Sequence, residues 1–161
     1  LKNKAIFLDR DGVINHDPGD YTWKPEDFHL LPGAVEFMQW ATEMGYLLIV
    51  ITNQAGIARK LYTHQDVQHL MDGFVRDMAG RGVAIAEYYY SPHYDVIENS
   101  LDRKPGSLLI EKGLARFDID RNLSCFIGDR EKDMLAAQAA GVKGIKVETN
   151  SGPGHLINAL A

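Results

Sequence analysis

Phe7-Leu8-Asp9-Arg10-Asp11-Gly12-Val13 decides how this chain is read. The apolar run Ala5-Ile6-Phe7-Leu8 forms a short strand that ends in Asp9 and Asp11. Residues i and i+2 of a strand point to the same side. Where Gly12 lets the chain turn, both carboxylates can face one open crevice. Two anions there repel each other and resist losing water unless a cation or a shared proton relieves them. A Mg²⁺ between them, with one aspartate attacking phosphorus, explains so costly an arrangement. The plain alternative is a strand followed by an acidic turn.

Three later stretches weigh against that alternative. Leu47-Leu48-Ile49-Val50-Ile51-Thr52-Asn53-Gln54 is an apolar strand ending in a hydroxyl and two amides. Arg103-Lys104-Pro105-Gly106 sets two cations before a helical pattern. Cys125-Phe126-Ile127-Gly128-Asp129-Arg130-Glu131-Lys132-Asp133 is a strand ending in Gly-Asp, with a second acid four residues on. Taken singly, Thr52 reads as a β-branched strand end, Lys104 as a solvated charge and Asp133 as a helix-surface acid. Taken in order, they are the parts of a phosphate site.

Between these stretches strands alternate with helices. Strands are expected at Ala5–Leu8, 46–52, 84–90, 123–127 and 144–147. Helices are expected at 33–44, with Val35, Met38 and Ala41 inward, and at 63–81, with Val67, Leu70, Met71, Phe74, Val75 and Met78 inward. Two more cover 107–117 and 132–140, and Thr63 is an N-cap while Gly45, Gly82 and Gly141 are stops. Residues 15–32 form a long loop. Alternation of this kind predicts an α/β fold: three layers, a Rossmann-like parallel sheet with helices on both faces and right-handed crossovers. In such sheets sites lie beyond the carboxyl ends of the strands, where all four motifs fall.

Composition excludes several classes. A chain of 161 residues is most simply one domain, 1–161, with a substantial core. The net charge of −5 offers no footprint for nucleic acid. Cys125 is the only cysteine, so no intrachain disulfide can form, and a reducing cytoplasm fits. No long apolar span and no signal-peptide pattern occurs, so no membrane is expected. Nothing in the sequence distinguishes a monomer from a homo-oligomer.

The four motifs in this order resemble those of the haloacid-dehalogenase-like phosphohydrolases, over residues 6–147. The resemblance implies Asp9 as nucleophile, forming an aspartyl-phosphate. It implies Asp11 as the acid that protonates the leaving oxygen and then takes a proton from water, so Asp11 must be protonated when substrate binds. Mg²⁺ would be held by Asp9, the backbone carbonyl of Asp11, and Asp129. Thr52 and the amides near Asn53 would hold the phosphoryl oxygens, with Lys104 adding charge. Asp133 would orient Lys104 or a metal-bound water. Residues 13–46 hold only a loop and a helix, and the second gap is also short, so no cap domain is expected and the site should be open. Tyr21, Trp23 and Tyr62 are rim candidates.

Asp9-Arg10-Asp11-Gly12 with Asn15, Thr52-Asn53-Gln54 before Gly56-Ile57-Ala58-Arg59, Ser91-Pro92-His93 and Arg103-Lys104-Pro105 resemble the histidinol-phosphate and heptose-bisphosphate phosphatase branch, the latter more closely. That likeness implies removal of the C7 phosphate of D-glycero-D-manno-heptose 1,7-bisphosphate. It implies substrate contacts from Asp17, Pro18, Gly19 and Asp20, from Thr52, Asn53, Gln54 and Ala55, and from Arg103, Lys104 and Arg130. Arg103 would read the remote end of the substrate, where a planar guanidinium suits a second phosphate. Histidinol phosphate is the alternative substrate, and a phosphate-binding module without turnover is the non-enzymatic one.

The chain departs from this pattern in one loop. Relatives often carry a structural zinc on Cys-x-His and Cys-x-Cys. Here the positions read Ser91, His93, Ser100 and Asp102. Structural zinc prefers four S or N donors, so the zinc is predicted absent, with a weak site of His93, Asp95, Glu98 or Asp102 as the alternative. Ala55 and Val13 are smaller departures, from Ser and Thr.

Overall fold

The computed structural model describes residues 1–94 and 100–161. The strands are β1 (Ala5–Leu8), β2 (Leu47–Asn53), β3 (Ile85–Ser91), β4 (Cys125–Gly128) and β5 (Lys143–Lys146). The helices are α1 (Ala34–Glu43), α2 (His64–Gly80), α3 (Leu108–Arg116), α4 (Glu131–Ala140) and α5 (Leu156–Leu160). The strands pair in parallel in the order β3-β2-β1-β4-β5. A helix lies between each strand and the next, the crossover that parallel pairing requires.

Strand alternation divides the core in two. Ile6, Leu8, Leu48, Val50 and Ile127 pack with Phe37 and Met38 of α1 and Val67, Met71 and Phe74 of α2. Their neighbours Phe7, Ile49, Ile51 and Phe126 pack on the other face with Leu109, Ile110 and Leu114 of α3 and Ala136 and Ala137 of α4. Both faces are covered, so the inner strands read as unbroken apolar runs, as buried parallel strands do. The α/β fold expected from the sequence is the fold observed.

β1 is central, and this positions the site. The chain runs outward from β1 through β2 to β3, then returns to place β4 on the opposite side of β1. The reversal leaves a crevice beyond the carboxyl end of β1. Asp9, Thr52 and Asp129 stand at three adjacent strand ends around it.

The differences from the sequence reading are local. On α1 the buried residues are Ala34, Phe37, Met38 and Ala41, at the i, i+3, i+4, i+7 spacing of a helical face, while Val35 is only half-buried. Val75 of α2 is likewise half-buried. Leu123 is not in β4 but in a 3₁₀ turn, Arg121–Leu123, and is 57% exposed. The Asp120 side chain accepts from Asn122 N at 2.9 Å, a local bond that competes with strand pairing. The tail forms α5, which packs Leu156 into the core. Five residues are too few for a helical period to show in sequence.

Burial pushes the Cys125 thiol up to about 11. Iodoacetamide at pH 8 should therefore leave the native thiol unreacted over hours and label the urea-unfolded chain, as read by intact mass. The unfolded thiol ionises near 9 and the folded one only near 11, so Cys125 should also lower stability as pH rises between those values. Phe7→Ala should cost about 3 to 5 kcal/mol in urea unfolding, whereas Leu123→Ala should stay within about 0.5 kcal/mol. Similar losses for both would contradict the core described here.

Candidate active site

Asp9 continues the β1 ladder by one residue, its N–H donating to Ile127 O at 2.9 Å. Beyond it the chain turns through Gly12, at φ +86°. A Cβ at Gly12 would overlap the Asp129 carboxylate. Glycine is thus required twice over, for the left-handed turn and for the approach of two strand ends.

The strand period holds through the motif. Asp9 and Asp11 face one pocket. Arg10 turns away and is fully buried, donating from Nη2 to Thr22 O at 2.6 Å and to Asp11 Oδ1 at 2.9 Å. Asn15 Nδ2 reaches the same Asp11 oxygen at 3.0 Å, and Gln54 Nε2 reaches Oδ2 at 3.3 Å. Gln54 is itself set by the Tyr62 hydroxyl, which donates to Oε1 at 2.6 Å, and by a 2.9 Å bond to Thr52 Oγ1. Asp11 is an acceptor for three side chains, all of them buried.

Lys104 comes from far along the chain. Its backbone is clasped by Asn53, whose Oδ1 accepts from Lys104 N at 3.1 Å and whose Nδ2 donates to Lys104 O at 3.3 Å. The buried ammonium lies 2.8 Å from Asp9 Oδ1, 2.7 Å from Asp133 Oδ1 and 3.1 Å from Ile51 O. Asp133, in the first turn of α4, also accepts from Asp129 N at 3.2 Å and Arg130 N at 3.1 Å through Oδ2. A Cβ on Gly128 would collide with Asp133, so the β4–α4 turn needs glycine there too.

Charge in this cluster is unbalanced. Oxygens of Asp9, Asp129 and Asp133 lie within 4.8 Å of one another, and Lys104 is the ammonium between them. Burial raises the Asp9 carboxyl well above its ordinary range; Lys104 draws it down, and Asp133 and Asp129 push it up again. Burial works against the Lys104 ammonium, but Asp9 and Asp133 hold its proton on. Asp129 Oδ2 takes the Thr149 hydroxyl at 2.8 Å, while Oδ1 is buried without a hydrogen-bond partner. An orphaned carboxylate oxygen beside surplus negative charge fits a hard divalent cation. Asp133 has both oxygens committed, which leaves Asp9 and Asp129 as the better ligands.

The pocket holds about 350 Å³, enough for a small phosphorylated molecule. Asp17, Gly19, Asp20, Tyr21, Thr52, Asn53, Ala55, Arg103, Lys104 and Arg130 line it with Asp9 and Asp11. Pro18 and Gln54 do not. Gln54 is 1% exposed, and its amide is spent on Asp11, Thr52 and Tyr62, so it positions Asp11 rather than meeting the pocket. Of the rim aromatics only Tyr21 lines the pocket; Trp23 stacks on the buried Tyr62. Arg59 and Lys132, unforeseen from sequence, line it as well, as does Tyr94. Arg59 Nη1 donates to the Tyr21 hydroxyl at 3.0 Å and its guanidinium lies 5.6 and 5.3 Å from the rings of Tyr21 and Tyr94. The Gly56-Ile57-Ala58-Arg59 motif was the available signal for Arg59. Arg130 Nη2 pairs with Asp17 Oδ2 at 3.2 Å. Lys132 has its affinity for a proton lowered by burial and by Arg103, Lys104 and Arg130.

The four positions of the departed zinc motif touch one another. Ser91 Oγ and Ser100 Oγ donate to Asp102 Oδ1 at 2.7 and 2.6 Å, and His93 Nε2 lies 3.6 Å from Asp102 Oδ2. Asp95 and Glu98 lie outside the described residues.

Comparison with known proteins places the chain among one family. The HAD-hydrolase-like family model matches residues 101–159. The chain is 37% identical to a D-glycero-beta-D-manno-heptose-1,7-bisphosphate 7-phosphatase of Pasteurella multocida, over 87% of the chain and 78% of that protein. It is 39% identical to a D-glycero-alpha-D-manno-heptose-1,7-bisphosphate 7-phosphatase of Campylobacter jejuni, over 88% and 80%. The crystal structure of D,D-heptose 1,7-bisphosphate phosphatase from B. bronchiseptica, complexed with magnesium and phosphate, superposes with a TM-score of 0.85 at 28% identity, over 99% of this chain and 87% of that one. No helix among the described residues is long and apolar enough to cross a membrane.

Lys104→Met should leave Asp9 and Asp133 buried without their ammonium. In metal-free buffer it should cost about 3 kcal/mol in urea unfolding. Arg81→Ala, which removes an exposed pair with Asp77, should change stability by about 0.5 kcal/mol or less. A Lys104→Met protein as stable as the parent would show that the buried cluster is not held by this charge.

Proposed function

The chain belongs to the heptose-1,7-bisphosphate 7-phosphatase family of haloacid-dehalogenase-like hydrolases, and from that premise we propose that it is a cytoplasmic enzyme removing the C7 phosphate of D-glycero-D-manno-heptose 1,7-bisphosphate. One observation carries the reading. Asp9 and Lys104 sit at the floor of a pocket whose wall adds Arg59, Arg103, Arg130 and Lys132. A single phosphate needs the floor; a second phosphate gives the further cations an anion to meet. Lys132, disfavoured as a cation by burial and by its like-charged neighbours, would be relieved by that anion.

The chemistry follows from phosphoryl transfer, in which the protein mainly positions groups and balances charge. An Asp9 oxygen attacks phosphorus, the bond from phosphorus to the C7 oxygen breaks, and an aspartyl-phosphate forms. Asp11 gives its proton to the departing oxygen, so the sugar leaves as an alcohol. Water then attacks the phosphoryl group and Asp11 takes a proton from it. Free Asp9 and inorganic phosphate result, with Asp11 protonated again. Gln54, aimed by Tyr62, holds Asp11 in line for both transfers. Thr52, Asn53 and Lys104 bind the phosphoryl oxygens. Asp9, the backbone carbonyl of Asp11, and Asp129 would hold Mg²⁺, which when bound offsets the repulsion between phosphate and carboxylate.

Asp17, Pro18, Gly19, Asp20 and Ala55 would border the sugar, while Arg103 and Arg130 would read its second phosphate. The amine of histidinol phosphate would seek an unpaired rim carboxylate. At Asp17, which is already paired with Arg130, that amine would have to displace a guanidinium. We also propose that Ser91, His93, Ser100 and Asp102 take no structural zinc, since three of the four offer oxygen where such a site prefers S or N donors.

Phosphate release with Mg²⁺ should be fastest, by kcat/KM, for one anomer of heptose 1,7-bisphosphate against histidinol phosphate, fructose 1,6-bisphosphate and a 3′-phosphorylated oligonucleotide. Best turnover of histidinol phosphate would reassign the substrate. Asp9→Asn should fold normally by circular dichroism and release no phosphate; substantial activity would remove Asp9 as nucleophile. Elemental analysis of purified protein should find well under one zinc per chain, and one tightly held zinc would overturn the reading of the loop.

A further inference from the structure

Arg103 and Lys104 are adjacent in sequence but are secured by different means. Lys104 is clasped at its backbone by the Asn53 amide and at its ammonium by Asp9, Asp133 and Ile51 O. Of those bonds only the one to Lys104 N bears on Arg103, by fixing the peptide group that joins the two residues, and none holds its side chain. Arg103 instead follows Asp102, on which the three other positions of the former zinc motif converge. Asp102 Oδ1 accepts two hydroxyl bonds, from Ser91 at 2.7 Å and Ser100 at 2.6 Å. Hydroxyl-to-carboxylate bonds of this length are of the strong, charge-assisted kind. Its Oδ2 faces His93 Nε2 at 3.6 Å.

These contacts anchor the loop to the sheet. Ser91 is the last residue of β3 and is fully buried, and its carbonyl accepts from Gln54 N at 2.7 Å. Through Ser91, Asp102 is fixed to a strand end that also sets the Thr52-Asn53-Gln54 segment. The loop is closed on the other side too, because Arg103 Nη1 donates to His93 O at 3.1 Å and Gly106 N to Arg103 O at 2.8 Å. A side chain that must meet a remote phosphate loses affinity if its backbone wanders, since small misplacements are costly.

We propose that Asp102 is the positioning residue for Arg103: a carboxylate hub on Ser91, Ser100 and His93 that fixes the guanidinium at the pocket wall. The proposal rests on the reading that Arg103 meets the remote group of the substrate. It separates the two cations by role. Asp102 sets recognition through Arg103, while Lys104 and the chemistry on Asp9 are anchored independently.

The test compares Asp102→Ala, Asp102→Asn, Arg103→Ala and the double variant Asp102→Ala/Arg103→Ala, using full-length protein with Mg²⁺. Substrates are heptose 1,7-bisphosphate and p-nitrophenyl phosphate, which has no remote group. Asp102→Ala should raise KM for the bisphosphate about tenfold or more, within the range expected of a displaced binding group. Its kcat should stay within about threefold, and p-nitrophenyl phosphate turnover should be little changed. Arg103→Ala should raise KM for the bisphosphate at least as much, and the double variant should lose no more than Arg103→Ala alone. Asp102→Asn keeps one oxygen for both serine hydroxyls and should recover most of the loss. Equal losses on both substrates would mean a merely structural role and would overturn the proposal, as would a loss that Asp102→Asn does not restore.

A substrate-independent readout separates this proposal from the substrate assignment. Tryptic cleavage after Arg103, followed by mass spectrometry, should be at least about tenfold faster in Asp102→Ala than in the parent under native conditions, with Asp102→Asn close to the parent. An unchanged rate sinks the proposal whatever the substrate is. If the parent enzyme shows no preference for the bisphosphate, the substrate reading fails, while the cleavage rates still judge whether Asp102 holds Arg103.

Discussion

The buried ammonium of Lys104 is the constraint on which the rest of the site depends. It touches Asp9 after β1, the carbonyl of Ile51 in β2 and Asp133 in α4. A charge taken so far from water is tolerated only where its partners are fixed and complete. Three elements must therefore be in place before Lys104 can be, and Lys104 in turn keeps Asp9 and Asp133 from repelling each other. One ammonium among the carboxylates of Asp9, Asp129 and Asp133 still leaves negative charge uncompensated. Burial raises the Asp9 carboxyl, Asp133 and Asp129 add to that rise, and the surplus makes the place beside Asp129 hospitable to a divalent cation.

Close packing of charges demands space that most residues would fill. Gly12 lets the β1 turn lie against Asp129, and Gly128 lets the β4–α4 turn lie against Asp133. Beneath the pocket a second layer holds Asp11. Arg10 and Asn15 reach it from its own turn, and Gln54 reaches it from the end of β2, with the Tyr62 hydroxyl deciding which way the amide points. This layer is nearly solvent-free, so each hydrogen bond in it is hard to replace.

The rim is built on a different principle. Its loops are joined by polar and cation–ring contacts across them: Arg130 to Asp17, Arg59 to Tyr21 and over Tyr94, and Asp102 to Ser91 and Ser100. Contacts of this sort are directional and can be exchanged without disturbing the core. A family that shares the floor of the site can accordingly vary its rim, and with it the group that is recognised.

Much of this was legible in the amino-acid sequence alone. Unbroken apolar runs between helical patterns can be buried only as parallel strands with helices on both sides, so the fold class followed. Strand alternation put Asp9 and Asp11 on one side, and four motifs at strand ends had to meet where those ends meet. Tertiary structure decided what periodicity does not encode. The inward face of α1 turned on Ala34 and Phe37 rather than Val35, because the sheet selects the stripe that it covers. Leu123 left the strand because the Asp120 side chain bonds locally. Gln54 proved to serve Asp11 from behind, and Arg59 and Lys132 to face the pocket, since the direction of an amide or a long cation depends on partners remote in the chain. The loss of three thiols was plain in the sequence. That Asp102 would gather Ser91, Ser100 and His93 around itself was not, because a hub of hydrogen bonds exists only once the fold has brought its members within reach.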